Sequence, residues 1–586
     1  MEALIMDYET HEVRDIDVLV IGGGIAATFA AIKAKEAGAR RVVQVDKGTV
    51  GKTGNSCFAA GVVHVCFPED DLDDRLLRLT RAQGFLAQQD LIRDHLQESY
   101  PILEDMRRYG VRFVMNSDGT YRRMAGRGAY PIVMFYSTQL MDALRQKAQA
   151  IGVEQVNRLY VTGLLTRNGE AVGAVGFHQH TGDFYVFKAR ATVLATGSTY
   201  YKGIHPGHKD CTADGFGMAY RIGATLCGGE QNDQPANAMP ARVDVGPGMN
   251  KWMGEGGVFL NTKGERFMER YSPKLKERSG LPQIIAFFCI EARMGRAPIY
   301  MDARHLGPEN MERLYQMLPL PQREFESIGV VKDGKFQKQV EFCPTGPTTR
   351  PGVVVDRNYA SRIARLFAAG EACSPSAVVT GLAAAATSGA RAGISAARCA
   401  GQSNGIFEDS GLVAELRDQA YKPLAKSGGF EPDHVLLELQ ETVIPYDILL
   451  LRESSRMERA LKRVETIRDQ DLPMLGAYDL HYLRLCHEIR NLVLTAELQL
   501  KAAIQRKETR NILREDYPYT DNVNWLKWIM VRKEGDKQKW WTEDIPIETY
   551  PVAPKREVEL AYLWRVPRDL GIVSIQDGRV QWEFEK

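Results

Sequence analysis

Residues Asp15–Gly48 read DIDVLVIGGGIAATFAAIKAKEAGARRVVQVDKG. An apolar run leads into three glycines, then a small-residue helix, a second apolar run and one acid. Asp15–Ile21 reads as a short buried strand and Arg41–Val45 as its neighbour. Between them Gly22, Gly24 and Ala27 supply G-x-G-x-x-A. Gly22 permits the tight turn from strand to helix. Gly24 has no Cβ, so a pyrophosphate can approach the backbone, and Ala27 lets the helix lie close to the sheet. The head of that helix offers unbonded N–H groups and the positive end of its dipole to phosphates. Asp46 follows the second strand at close to the ~20-residue spacing of an acid that accepts ribose hydroxyls. The stretch predicts a dinucleotide fold.

The chain has 586 residues, enough for several domains of about 100–200 residues each. Its 75 basic and 74 acidic residues nearly cancel, which argues against nucleic acid or an anionic membrane as the main partner. No apolar run reaches the ~18–20 residues of a membrane span. The first residues, MEALIMDYETHEVRDID, lack the basic and apolar regions of a secretory signal. The nine cysteines are scattered without a C-x-x-C pair, which argues against an iron–sulfur or zinc site and fits a reducing cytoplasm. His205 and His208, in GIHPGHKDC, have ligand-like spacing, but no acid or cysteine cluster completes a site, and the stretch reads as a surface loop. No metal site is expected.

Two distant stretches bear on which dinucleotide is held. ATVLATGSTY (Ala191–Tyr200) is a strand ending in a small-residue turn. RLFAAGEACS (Arg365–Ser374) is a strand ending at Gly370-Glu371, followed by the small-residue helix in VVTGLAAAATSGARAG (Val378–Gly393). In flavoproteins a late G-[DE] at a helix start holds the ribityl chain, and a strand-turn at A-T-G closes the sheet near the adenosine half. Together these pieces resemble an FAD fold and not an NAD one. Only one dinucleotide fingerprint is present.

Further motifs carry a family resemblance. They are VGKTGNSCFAAGVVH (Val50–His64), TADGFGMAYRIGATL (Thr212–Leu226), GGVFLNTKGERFMERYSP (Gly256–Pro273), MGRAPIYMDARH (Met294–His305) and RKETRNILREDYPYTDNVNWLKW (Arg506–Trp528). In this order they resemble the flavoprotein subunits of succinate dehydrogenase and fumarate reductase. L-aspartate oxidase and the α-subunit of adenylylsulfate reductase are relatives of that family. The resemblance implies an α/β fold: a Rossmann-like FAD-binding domain (1–235 and 350–405), an inserted α+β capping domain (236–349) and a C-terminal helical domain (406–530). Helical spacing of apolar residues in 436–470 and 478–506 supports the last assignment independently. Residues 531–586, aromatic and Pro-rich, read as an extended tail, in which KWW at 539–541 packs on its own domain or docks a partner. The resemblance adds Lys47, Thr53, Gly54, Asn55, Ser56, Ala60, Gly61, Ala195, Thr196, Gly197, Asp214, Gly370 and Glu371 to Gly22, Gly24, Ala27 and Asp46 as cofactor-binding residues.

It also implies hydride exchange between flavin N5 and a substrate, with a capping-domain arginine moving the proton. The matching residue is Arg278, in KLKERSGLPQIIAFF, with Glu277 or Glu255 to return the proton. Three departures qualify this. Asn55 stands near the position of the family's flavin-linking histidine, so the expectation is non-covalent FAD, with Cys57 as the nearest thiol. The histidine of the H-P-T-G segment is missing from 227–257. The H-Y-x-M-G-G histidine and N-R-L-G arginine are missing from 343–356 and 374–386. Arg350 and Arg242 are the replacement cations on offer, and His64 is the histidine placed to face the flavin. Each lost charge-assisted bond removes roughly 1.5–3 kcal/mol, so three or four losses argue against fumarate or succinate. The reading is a flavoprotein subunit exchanging electrons between another small acid and a separate iron–sulfur protein, in the cytoplasm or membrane-associated through partner subunits. The alternatives are an adenylylsulfate-reductase-like enzyme and a non-catalytic electron-transfer flavoprotein in a larger complex.

Overall fold

The apolar run before the glycines forms strand β1 (Thr10–Ile21), whose residues from Ile16 onward are buried, in a computed structural model of the chain. The structure describes all residues except 1–7, 126–130, 204–205, 232–237, 241–250, 345–349, 380, 403–408, 427 and 586. Strand β1 starts earlier than Asp15 because its pairing with Phe184–Leu194 resumes beyond an irregularity between Val13 and Ile16, where Asp15 has φ 56°. Helix α1 (Ile25–Glu36) is buried on nearly every face, so it lacks the one-sided apolar stripe of a surface helix. Strand β2 (Val42–Val45) runs parallel to β1 with Val18 opposite Val42.

These strands sit in a seven-stranded sheet. Glu154–Val156, β2, β1 and Phe184–Leu194 lie side by side in parallel, followed by Glu170–His178 and Leu159–Arg167 in antiparallel. Leu366–Ala368 returns much later in the chain and pairs parallel to Phe184–Leu194. The late helix Leu382–Gly401 then packs on α1. Its Gly389 and Gly393 lie against the Ala26 and Ala30 backbone so closely that a Cβ on either would drive into a carbonyl oxygen.

The inserted part is α+β. Ala238–Pro240, Val340–Pro344, Ile299–Asp302 and Val258–Leu260 form one antiparallel sheet beside the capping helix Leu281–Arg293. Its aromatic core is tight: the Trp252 and Phe325 rings stack at 4.5 Å. Strand β3 (Val62–His64), α2 (Leu72–Ala82) and α3 (Gln89–Arg108) link this part to the dinucleotide half.

After the late helix come Ser410–Tyr421, Pro432–Val443, Ser454–Thr466 and the long, mostly buried helix Leu480–Gln505. The helical run stops at Gln505 and not near 530, because Leu513–Arg514, Tyr519–Asp521 and Lys527–Glu534 are strands. The expected extended tail is also folded. Lys527–Glu534 and Lys537–Asp544 form a hairpin beside Leu226–Cys227, with Tyr562–Asp569 as a helix and Val573–Gln576 with Arg579–Trp582 as a second hairpin. The Pro-rich composition suggested open chain, but the aromatics find burial. Trp564 is enclosed and donates its ring N–H to Arg514 O at 3.1 Å, and the Trp582 ring lies 6.0 Å away. Trp540 and Trp541 are half-buried in the first hairpin.

Gly393→Val would wedge the late helix away from α1. We expect a loss of about 2–3 kcal/mol in urea unfolding, the upper part of the usual overpacking range.

Candidate functional site

Three helix heads meet at one cavity of about 580 Å3: Gly24–Ala26 of α1, Gly381–Leu382 of the late helix and Gly280–Pro282 of the capping helix. Each head turns free N–H groups and a positive dipole end toward the same space. Such a cavity suits an elongated polyanion. The turn into α1 depends on glycine. Gly22 has φ 132°, and a Cβ there would enter the Ala195 carbonyl. Gly23, which the spacing argument passed over, matters through proximity, because a Cβ would sit 2.6 Å from Asp46 Oδ2. The Asp46 carboxylate is thus held directly over the glycine turn. It accepts from Gly48 N at 2.7 Å and Thr53 Oγ1 at 3.2 Å, and burial raises its pKa. Ser56 Oγ accepts from Ile25 N at 3.1 Å and ties the 53–56 segment to the helix head.

The other expected turn segments arrive at the same wall. Ala195, Thr196, Gly197, Gly370 and Glu371 line the cavity, as do Thr53, Gly54, Asn55, Ser56 and Ala60. Ser198 Oγ donates to Glu371 Oε2 at 2.7 Å, linking the A-T-G turn to the late G-E turn. Gly370 N donates to Ser388 Oγ at 2.9 Å. Ala27 is buried behind the helix head and does not reach the cavity, as a packing residue should. Gly61 also lies off the wall, and its N–H donates to Met317 O at 2.8 Å.

Beside Asp46, the cavity wall carries a buried charge network. Lys47 Nζ donates to Thr212 Oγ1 at 2.5 Å, Asp214 Oδ2 at 2.8 Å and Glu488 Oε1 at 2.9 Å. Tyr160 OH donates to Asp214 Oδ1 at 2.8 Å, and Lys202 reaches Glu488 Oε2 at 2.8 Å. Burial alone would lower the Lys47 pKa, but Asp214 and Glu488 outweigh it and hold it above the usual lysine value. Burial would raise Glu488, but Lys47, Lys202 and Arg484 hold it well below the usual carboxylate range. The long helix Leu480–Gln505 thereby reaches into the dinucleotide half through one residue.

Away from that network the lining turns cationic: Arg75 and Arg78 of α2, Lys251, His64 at the end of β3 and His95 of α3. Arg75 is only 6% exposed and pairs with Asp70 at 2.5 Å. The His64 ring is open to the cavity but hemmed in by protein. Burial, then the charges of Lys251, His95 and Arg75, push its pKa down to about 3. Burial pushes His95 down to about 4, and its Nδ1 lies 3.0 Å from Thr387 Oγ1. Both imidazoles are neutral at pH 7. The arginines on α2 follow its amphipathic period and could have been singled out in the sequence. Nothing in the sequence marks Lys251 or His95.

Two of the three expected catalytic residues stand elsewhere. Arg278 closes a single turn before the capping helix, is exposed and does not line the cavity, because the helix starts three residues later at Leu281. Its supposed proton partners are taken. Glu277 receives Arg266 Nη2 at 2.7 Å, and Glu255 receives Arg313 Nη2 at 2.8 Å. Arg350 is 0% exposed, donates Nη2 to Val378 O at 2.8 Å and does not line the cavity. Cys57 donates Sγ to Gly54 O at 3.1 Å, and burial pushes its thiol up to about 12. Arg242 and His205 lie outside the described residues.

Residues 17–389 match the FAD binding domain family, and residues 437–559 match the fumarate reductase flavoprotein C-terminal family. The flavoprotein-like chain of the CoM/CoB fumarate reductase of Methanothermobacter marburgensis is 29% identical over 557 residues, covering 90% of this chain and 99% of its own. A variant of E. coli quinol fumarate reductase superposes with a TM-score of 0.81 at 21% identity, covering 93% of this chain and 99% of that one. Adenylylsulfate reductase of Archaeoglobus fulgidus gives a TM-score of 0.77 at 21% identity, covering 94% and 98%. At 21% identity the two solved structures speak for the fold alone. Among the described residues no helix is long and apolar enough to cross a membrane.

The Glu488 network makes a pH-dependent prediction. Its carboxyl pKa is depressed on folding, so its stabilisation is present above the unfolded value of about 4.3 and is lost as pH falls below it. Glu488→Gln leaves Lys47 and Lys202 short of a buried counter-charge and is expected to lower unfolding free energy at pH 7 by about 3 kcal/mol. Urea unfolding from pH 6 to pH 3 should show a smaller acid-induced loss in the variant than in the wild type.

Proposed function

Since the chain belongs to the FAD binding domain family, and is a flavoprotein of the fumarate reductase and succinate dehydrogenase type and so an FAD-dependent oxidoreductase, we propose that it exchanges two electrons between a small anionic substrate and a separate iron–sulfur protein. The observation carrying this reading is the division of one cavity into a glycine-and-acid half and a cationic half. Bound FAD supplies hydride exchange. Gly22, Gly24 and the head of α1 would take its pyrophosphate, Asp46 its ribose hydroxyls, and the Gly370–Glu371 turn with the late helix head its far end. The glycine cradle and the convergent N–H groups fit such a cofactor. With Asn55 on the wall and the Cys57 thiol held protonated, attachment is non-covalent.

Arg75 and Lys251 hold the acid group of the substrate. His64 and His95, neutral at pH 7, offer a hydrogen bond each without adding charge. Lys251 is the cation in this half with a proton to exchange, a role that Arg278 cannot fill from outside the cavity. The head of the capping helix presents Gly280, Leu281 and Pro282, none of which can grip a carboxylate by its side chain. This favours a small acid other than fumarate or succinate. The relatives named as subunits support an iron–sulfur partner as the electron carrier. The Methanothermobacter relative is itself named a fumarate reductase, so fumarate is the first compound to exclude.

Two outcomes test this. Acid precipitation should release all yellow colour into the supernatant, and Gly24→Val, whose side chain would meet Ser56 and any pyrophosphate, should yield colourless protein. Colour in the pellet would mean a covalent flavin. Second, the anaerobically reduced protein should be reoxidised by fumarate in stopped flow no faster than by buffer, while its true acid reoxidises it saturably. Arg75→Met should raise KM for that acid roughly 10- to 100-fold, the loss of one charge-assisted bond, with flavin content unchanged.

A further inference from the structure

A second, small chamber of about 50 Å3 adjoins the flavin cavity and shares Ala82, Gln83 and Pro282 with it. Its remaining wall is rich in arginine. Three of these are matched by acids: Arg506 by Glu230 at 2.8 Å and Glu508 at 2.9 Å, Arg510 by Glu508 at 2.8 Å, and Arg514 by Asp516 at 2.9 Å. Arg452 is not. It is 3% exposed, donates Nε to Leu449 O at 3.1 Å and Nη1 to the backbone oxygen of Glu230 at 2.8 Å, and its Nη2 has no acceptor. No carboxylate among the described residues forms an ion pair with it. Gln231 Nε2, on the same wall, is a second buried donor without an acceptor. Burial, then Arg514 and Arg506, push the Arg452 pKa down to about 9, as expected of a cation short of counter-charge.

A buried guanidinium without a partner is costly, and an oxyanion is the ligand that matches its fork. The chamber exceeds the roughly 10–15 Å3 that one water needs. Glu230 Oε2, an acceptor without a donor, adds that the oxyanion bears a hydroxyl or brings a water. The chamber also has a defined relation to the substrate half. Arg75, Arg78, Leu79 and Ala82 share one face of α2 and line the cavity, and Ala82 is common to both spaces. From Arg75 to Ala82 the helix rises about 10 Å at 1.5 Å per residue.

We propose that Arg452 and Gln231 form an oxyanion subsite at the end of the flavin cavity. It is filled by the far acid group of a substrate lying along α2 or by a free small oxyanion. The inference rests on the cavity being the flavin and substrate site.

The test is calorimetric titration of the FAD-loaded protein with sulfate, acetate and dicarboxylates from malonate to suberate. Sulfate should bind saturably, and Arg452→Met should weaken it at least tenfold. Gln231→Leu should weaken it less, and serves as the second variant should Arg452→Met fail to load flavin. A gain of tenfold or more from acetate to the longer dicarboxylates, lost in Arg452→Met, assigns the subsite to the substrate. Sulfate binding beside acetate without competition, and no gain with length, assigns it to a free anion. Equal binding of every probe to wild type and both variants, or no binding to wild type, overturns the subsite. If reoxidation by an acid persists while Arg452→Met changes nothing, only the subsite falls. If sulfate binding depends on Arg452 but no acid reoxidises the flavin, only the functional reading falls.

Discussion

The close approach of the α1 head to three other chain segments is the constraint on which the site depends. The Ala195 carbonyl stands where a Gly22 Cβ would be, the Asp46 carboxylate stands where a Gly23 Cβ would be, and the Ala26 backbone faces Gly389. A side chain at any of these points would push apart the sheet, the acid or the late helix. Because they are absent, backbone N–H groups and a carboxylate share one wall of the cavity. A dinucleotide needs both within reach, one for phosphate and one for ribose.

Charge is then sorted along that cavity. Asp46, Asp214 and Glu371 stand at the dinucleotide half, where Lys47 is neutralised by Asp214 and Glu488. The substrate half holds Arg75, Arg78 and Lys251, with two imidazoles kept neutral by burial and by those same cations. The two halves come from separate parts of the chain. The cationic half is built from the segments after β3 and from the inserted part, so its chemistry can change without disturbing the cofactor turn. This separation explains how a family can keep its cofactor while its substrate ligands differ.

The C-terminal region is part of the same construction. Glu488 reaches in from the long helix to Lys47, and the arginines after Gln505 wall the small chamber. The folded end of the chain, with Trp564 capping the Arg514 carbonyl, holds that arginine segment in place.

The glycine turn, the acid after β2 and the two small-residue turns were legible in the sequence, because each depends on local backbone geometry and on spacing within one strand–helix–strand unit. Gly23 was not, since its reason is the tertiary position of Asp46. Arg278 was misplaced because motif spacing puts an arginine near a helix start, while only the observed start at Leu281 decides which residue faces inward. Arg350 was offered as a cation near the site, but folding buried it against the Val378 carbonyl. The tail read as open chain because composition does not reveal which aromatics meet. Thus the sequence by itself determined the cofactor fold, through residues whose meaning is local. Tertiary structure decided the cations that face the substrate and the acid that neutralises Lys47, because these come from segments far apart in the chain and interact only once it has folded.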